Sequence, residues 1–254
     1  METPVNIIRT LWKSLKDLFE DLFILALVNI LWILINALPA VAVFFALSNS
    51  GALYVVMLLS VLTLGPSNAG LYAVAERVTD GRTTSWRDFF AGMRAYPVLS
   101  WKVYGLWMLG LIVILVNLQF YNLNGTTIAS CLYVLFLYFT VVWFCFLMYI
   151  GPLMQIQTDK RIRTIARNAA LMTFGRPLFT LATLALMAII AVASIWLPIL
   201  LLLATVSFLA IWSFRAALTL IAEAEARRTA AAEKAGAIKT TPDKGRGGQI
   251  RPRD

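Results

Sequence analysis

Histidine is absent from all 254 residues of the chain. No imidazole is therefore on hand as a general base, a metal ligand or a switch near neutral pH. Charge is scarce too: Asp, Glu, Lys and Arg make up 14% of the residues, where a soluble domain carries about a quarter. Cysteine is limited to Cys131 and Cys145, within one apolar run. On a single helix they stand roughly 21 Å apart, far beyond disulfide reach. Both read as packing residues and say nothing of the redox compartment. What is abundant is apolar surface: 60% of residues are hydrophobic and the mean hydropathy is +0.79. This is the composition of a membrane protein with a single bundle.

The few charges are segregated. All 22 basic and 13 acidic residues fall into four blocks, running Glu2 to Asp21, Glu76 to Lys102, Asp159 to Arg176 and Arg215 to Asp254. Between them lie charge-free stretches at 22–75, 103–158 and 177–214. As helix these would measure about 81, 84 and 57 Å, against a hydrocarbon core of about 30 Å. Each stretch must then cross twice as a helical hairpin. The sequence thus predicts an all-α, polytopic membrane helix bundle of six transmembrane helices, over about 22–46, 52–75, 98–118, 128–150, 177–196 and 198–220. The blocks hold three, five, five and nine Lys or Arg, and the hairpin tips hold none. The positive-inside rule places all four blocks, and both termini, in the cytoplasm. Ala40-Val41-Ala42 has the small residues of a signal-peptidase site. However, Asp17, Glu20 and Asp21 stand where a signal peptide is basic, and the apolar run continues past Ala42. No cleavage is expected there.

Interfacial amphipathic helices are predicted between the hairpins. In an N-terminal segment, 1–21, Thr3 and Pro4 suit a helix start. Ile8, Leu11, Trp12, Leu15, Leu18 and Leu22 form its apolar stripe. Lys13–Asp17 and Lys16–Glu20 are spaced as i,i+4 pairs on its wet side. In the second block, Ser85 and Asp88 have the spacing of a capping box, and Trp86, Phe89, Phe90 and Met93 recur at helical intervals. That face is expected to lie along the inner membrane surface or to dock under the bundle. In the third block, 159–174, Ile162, Ile165, Ala169 and Met172 oppose Lys160, Arg163 and Arg167. The six-helix domain spans 22–221. A basic tail, 222–254, begins with helix-favouring "AEAEARRTAAAEKAGA" and ends in Gly/Pro-rich, disorder-prone "TTPDKGRGGQIRPRD". Attraction to anionic lipid accounts for the tail's charge, and the single Gly245-Arg246-Gly247-Gly248 element does not call for a nucleic acid. A weak repeat is also visible: Gly65-Pro66 and Gly151-Pro152 each precede an amphipathic helix and then a Pro-initiated membrane helix, after Pro97 and Pro177. Repeats of this parallel kind occur in transporters.

No ionisable residue sits in the middle of a crossing. Ion-coupled transport and hydrolysis both need such groups, so no catalytic residue, metal or cofactor is expected. The remaining intramembrane signal is amide. Asn29 and Asn36 lie seven residues apart on one face of the first helix with Trp32 nearby, and Asn117 and Gln119 close the third. They serve either as interhelical hydrogen bonds or as a seam facing a ligand or partner. In "LGPSNAGLYAVAERV", Pro66 removes a backbone donor and opposes the Leu62 carbonyl. Ser67 and Asn68 are placed to satisfy the freed carbonyls, and Gly65 and Gly70 permit close helix approach. The expectation is a structural kink that steers the chain into the Trp86–Met93 helix; the alternative is a binding site. Candidate partner- or ligand-facing residues are thus Asn29, Trp32, Asn36, Gly65, Pro66, Ser67, Asn68, Tyr72, Trp86, Phe89 and Phe90.

Asn29-x-x-Trp32 with Pro39, then "LGPSNAGLYAVAERV", then "SWRDFFAGMRAYP", resemble the YesL-like family of bacterial membrane proteins over residues 20–100. "DKRIRTIARNAALMTF" is similar more loosely. Members commonly hold the Pro and the Gly-Pro motif close together, whereas here a long apolar stretch separates Pro39 from Gly65. The resemblance supplies no catalytic residue. It implies a non-enzymatic accessory role near carbohydrate uptake, with a membrane partner such as a carbohydrate ABC permease. The alternative reading is a passive small-solute transporter or channel.

Overall fold

A computed structural model describes residues 6–123 and 126–240, and every regular element among them is a helix. Six helices are long and apolar enough to cross a membrane: Leu22–Ala46, Gly51–Thr79, Pro97–Leu123, Thr127–Ile156, Pro177–Trp196 and Pro198–Glu233. The protein is the expected all-α, multi-pass helix bundle. Its order is α1 (Ile7–Glu20), α2 (Leu22–Ala46), α3 (Ser50–Thr79), α4 (Trp86–Ala95), α5 (Pro97–Leu123), α6 (Thr127–Ile156), α7 (Ile162–Gly175), α8 (Pro177–Trp196), α9 (Pro198–Leu200), a π-helical turn Leu201–Thr205 and α10 (Val206–Thr240).

Helices run further than hydropathy alone suggests. α3 continues unbroken through Pro66 to Thr79, and α6 through Gly151-Pro152 to Ile156. A proline removes one backbone bond, whereas ending a helix in hydrocarbon exposes several polar groups. The Ala/Glu-rich part of the tail continues α10 to Thr240; the Gly/Pro-rich end lies outside the described residues. Thr3 and Pro4 lie outside them as well, and α1 is capped by Asn6, whose side chain accepts the Ile8 amide at 2.9 Å.

The orientation of α1 differs from the expected one. Its buried face is polar: Thr10, Ser14 and Asp17, together with Leu18. Asp17 makes no i,i+4 pair with Lys13. It instead receives two bonds from Arg215 of α10, at 2.5 Å from Nε and 2.7 Å from Nη2. Leu11 and Leu15 pack against the core, whereas Ile8 is 74% and Trp12 70% exposed. A stripe on an interfacial helix splits this way when lipid covers one side and an arginine on a neighbouring helix waits on the other. Lys16–Glu20, at 3.5 Å, stays on the surface.

The four charged blocks meet at one end of the bundle. Asp17–Arg215, Arg77–Asp88 and Arg176–Glu223 tie α1 to α10, α3 to α4, and the α7–α8 junction to α10. At the other end the Tyr54 hydroxyl donates to Gln119 at 2.9 Å, joining the α3 and α5 tips. Between these ends lies a core around the fully buried Trp212, Tyr104, Tyr149 and Phe214.

The Asp17–Arg215 fork is expected to hold α1 in place. Arg215→Gln should strand a mostly buried carboxylate and lower stability by about 2–3 kcal/mol, read as a fall in thermal unfolding temperature. The charge-exchanged pair Asp17→Arg with Arg215→Asp should regain part of the loss. A double variant no more stable than the single one would show that the two side chains do not act as a pair.

Candidate functional site

The polar residues of α2 do not form one site; they serve two neighbours. Asn29 is fully buried and faces the π-helical turn. Its Nδ2 donates to the Leu201 and Leu202 carbonyls at 2.8 and 2.7 Å, and its Oδ1 accepts the Val206 and Ser207 amides at 2.8 and 3.1 Å. A carboxamide has two hydrogens and two lone pairs to offer, and all are used. The Ser207 hydroxyl also donates to the Leu25 carbonyl at 3.0 Å. On the turn's other flank, Thr205 Oγ1 lies 2.7 Å from Ser194 Oγ of α8 and 2.9 Å from the Leu200 carbonyl.

Asn36 and Trp32 face α3. Asn36 Nδ2 donates to Ser67 Oγ at 2.9 Å and to the Trp32 carbonyl at 2.8 Å, while its Oδ1 accepts from Thr63 at 3.2 Å. The Trp32 indole donates to Asn68 Oδ1 at 3.0 Å. Ser67 is buried and its hydroxyl donates to the Leu64 carbonyl at 3.2 Å.

The carbonyl that Pro66 leaves without a donor is that of Leu62, and neither Ser67 nor Asn68 serves it. The Trp101 indole of α5 donates to it at 3.1 Å. The expected local rescue is therefore replaced by a tertiary one. Gly65 makes this contact possible: a Cβ there would stand 3.3 Å from the Ser100 backbone of α5.

Tyr72, one turn beyond Asn68, lies across Gly151 of α6. A Cβ on Gly151 would come within 2.0 Å of its ring. Tyr72 Oη is 3.1 Å from Ser213 Oγ of α10, and Gln155 Nε2 donates to the Ala69 carbonyl at 3.0 Å. The two Gly-Pro segments thus pack directly on each other.

The α4 face divides. Phe89 is 0% exposed and packs on Gly70, where a Cβ would meet the Phe89 carbonyl at 2.4 Å. Gly92 is the matching notch in α4, set against Ala73. The Ser85–Asp88 capping box is formed. Trp86, by contrast, is 43% exposed, with the Arg87 guanidinium 5.5 Å from its ring centroid and Phe90 edge-on at 6.0 Å. So Phe89 anchors α4, Phe90 is half-buried against the core, and Trp86 faces outward at the charged end beside Arg87 and Arg94.

Lys160 links this end together. Its ammonium donates to the last α6 carbonyls, of Met154 and Gln155, at 2.6 and 2.9 Å, and stands 5.1 Å from the Tyr96 ring centroid. Burial pulls its pKa below the ordinary lysine value, with Glu76 nearby opposing the shift. Asp21, at the α1–α2 junction, is held above the usual carboxylate range by burial and then by the Glu20 and Asp17 charges. Among the described residues there is no cluster of three His, Cys, Asp or Glu side chains suited to a metal ion.

Comparison with family models, with curated proteins and with solved structures finds no match for this chain.

The Asn29 lock should be costly to remove. Asn29→Leu removes four hydrogen bonds to the Leu201, Leu202, Val206 and Ser207 backbone in an apolar setting, an expected loss of about 2–4 kcal/mol. Thermal unfolding in detergent and limited proteolysis would both register it. Trp101→Phe should cost about 1 kcal/mol through the exposed Leu62 carbonyl, and Pro66→Ala should abolish that dependence on Trp101. Equal stability of wild type and Asn29→Leu would mean that the turn finds its own partners.

Proposed function

We propose that this is a non-enzymatic accessory protein of the bacterial cytoplasmic membrane that binds a membrane partner in carbohydrate uptake, such as a carbohydrate ABC permease. One observation carries the non-transport part of the reading. The intramembrane amides are engaged within the bundle: Asn29 makes four hydrogen bonds to one backbone turn, and both Asn36 amide hydrogens are bonded. Side chains bound in this way form a rigid scaffold and offer no docking group to a passing solute. The lack of histidine and of mid-span charge points the same way. The outward surface at the charged end, with Trp86, Arg87 and Arg94, is the face we assign to the partner, since aromatic and arginine side chains dominate binding hot spots. The carbohydrate context rests on the resemblance of the 20–100 segment to YesL-like proteins.

In this reading both termini and the four charged blocks are cytoplasmic. Reporter fusions after residues 49, 123 and 196 should report outside, and fusions after 85, 165 and 230 inside. An inside signal after residue 123 would break the hairpin assignment of α5 and α6. The function itself is tested by cross-linked purification from native membranes, where a permease should co-purify with the wild type and be lost on Trp86→Asp with Arg94→Asp. Sugar flux in liposomes holding the purified protein alone would replace this proposal with a passive transporter.

A further inference from the structure

α7 packs along α6 but touches α5 at few points, and a cleft of about 160 Å³ is left between the three helices. Its floor is buried: Val103 and Trp107 of α5, Ile150 of α6, and Ile165 and Ala169 of α7. Its mouth is formed by Leu106, which is 54% exposed, and by the exposed Ala166. Every lining side chain is aliphatic or aromatic. The two indole N–H groups in the lining, on Trp107 and Trp143, are taken up by each other's backbone carbonyls at 3.1 and 2.9 Å. Alanine at 166 and 170, one turn apart, leaves open the space that a larger side chain on α7 would fill.

The occupant follows from the walls and from the medium. The cleft offers no hydrogen bond, so neither water nor a sugar is stabilised by entering it. Left empty, its lining forfeits dispersion contacts. An apolar cavity of about 150 Å³ stays dry and takes up a hydrocarbon of about six carbons. Two of this cleft's three walls belong to helices of membrane-spanning length, so its mouth opens onto hydrocarbon. We infer that the cleft holds part of one acyl chain of a phospholipid from the leaflet at the charged end, wedged between α5 and α7. The surrounding charge suits the other end of that lipid. Lys102 stands one turn before Leu106 on α5, and Arg163 and Arg167 flank Ala166 on α7. All three are exposed, and none has an ion pair among the described residues. Asp159, the acid nearest to them on the α7 side, is engaged by Arg161 and Thr164. A phosphate above the mouth therefore meets unpaired positive charge. The cleft selects the occupant; the cations orient it.

The test is native mass spectrometry of the full-length protein, washed in dodecyl maltoside and titrated with dioleoyl phosphatidylglycerol. One lipid should stay bound after the others are stripped, and it should raise the thermal unfolding temperature. Ala166→Leu with Ala170→Leu fills the cleft. Lipid affinity should then fall about tenfold, while the lipid-free protein unfolds at a higher temperature than the lipid-free wild type. Lys102→Gln with Arg163→Gln, changes at exposed side chains, should weaken binding about threefold and leave the lipid-free unfolding temperature unchanged. Glycerol 3-phosphate, a headgroup without chains, should not compete. A wild type that retains no lipid, or a leucine variant that binds it as well as the wild type does, would overturn the assignment. Competition by glycerol 3-phosphate would overturn it too, leaving a phosphate site at the cations. If the leucine variant instead unfolds at a lower temperature, the glutamine variant decides: weaker binding supports the site, and unchanged binding overturns it.

Discussion

A backbone polar group inside a bilayer has no water to turn to, and this constraint organises the molecule around Asn29. The final crossing begins as a short turn after Pro198, widens into a π-turn over Leu201–Thr205 and only then becomes α-helical. Widening a helix by one residue disrupts its hydrogen-bond ladder. In a soluble protein, solvent could repair the gap. Here the repair is a carboxamide from α2, which bonds two carbonyls and two amides. Thr205 and Ser194 extend the repair to α8. Three helices, α2, α8 and α10, are thus tied to one another at this turn.

The same logic recurs at Pro66, with a different donor. Its orphaned Leu62 carbonyl is served by the Trp101 indole, so the proline binds α3 to α5. α5 and α6 are joined by a reciprocal pair: the Trp107 indole donates to the Trp143 carbonyl at 3.1 Å and the Trp143 indole to the Trp107 carbonyl at 2.9 Å. Glycine makes room for these rings. A Cβ on Gly110 would meet the Trp143 ring at 2.2 Å, just as one on Gly151 would meet Tyr72. Between apolar helices in an apolar medium there is little hydrophobic gain, so small residues and directed hydrogen bonds determine which helices pair. The recurring order of Gly-Pro helix, short helix and Pro-initiated helix, in α3–α4–α5 and again in α6–α7–α8, brings the two Gly-Pro segments face to face through Tyr72, Gly151, Ala69 and Gln155.

The hairpins were legible because a charge needs water whatever the fold, and thirteen acids and twenty-two bases mark where water is. The capping box at Ser85 was legible because it is local. What could not be read was anything decided by a distant neighbour. α1 shows an apolar stripe in sequence, but periodicity does not say whether protein or lipid covers it; Arg215, nearly two hundred residues away, decides that the polar side turns inward. The Leu62 carbonyl was identifiable as an orphan from Pro66, yet nothing near it announced Trp101. Asn29 was conspicuous as an amide in a crossing, while its target lies in a run of leucines with no local sign of a π-turn.

An amide in a transmembrane helix is ambiguous until its partners are counted. Free, it is an invitation to a solute; engaged, it is a fastener. Asn29 has no valence left, and the Asn36, Trp32, Ser67 and Asn68 group bonds within itself and to nearby backbone. Exposed polar chemistry is then found at the charged end, where Arg87 lies over an exposed Trp86. The accessory role proposed above draws on this contrast: the centre of the bundle is cross-bonded, and alternating access would require helices to separate where these are bonded.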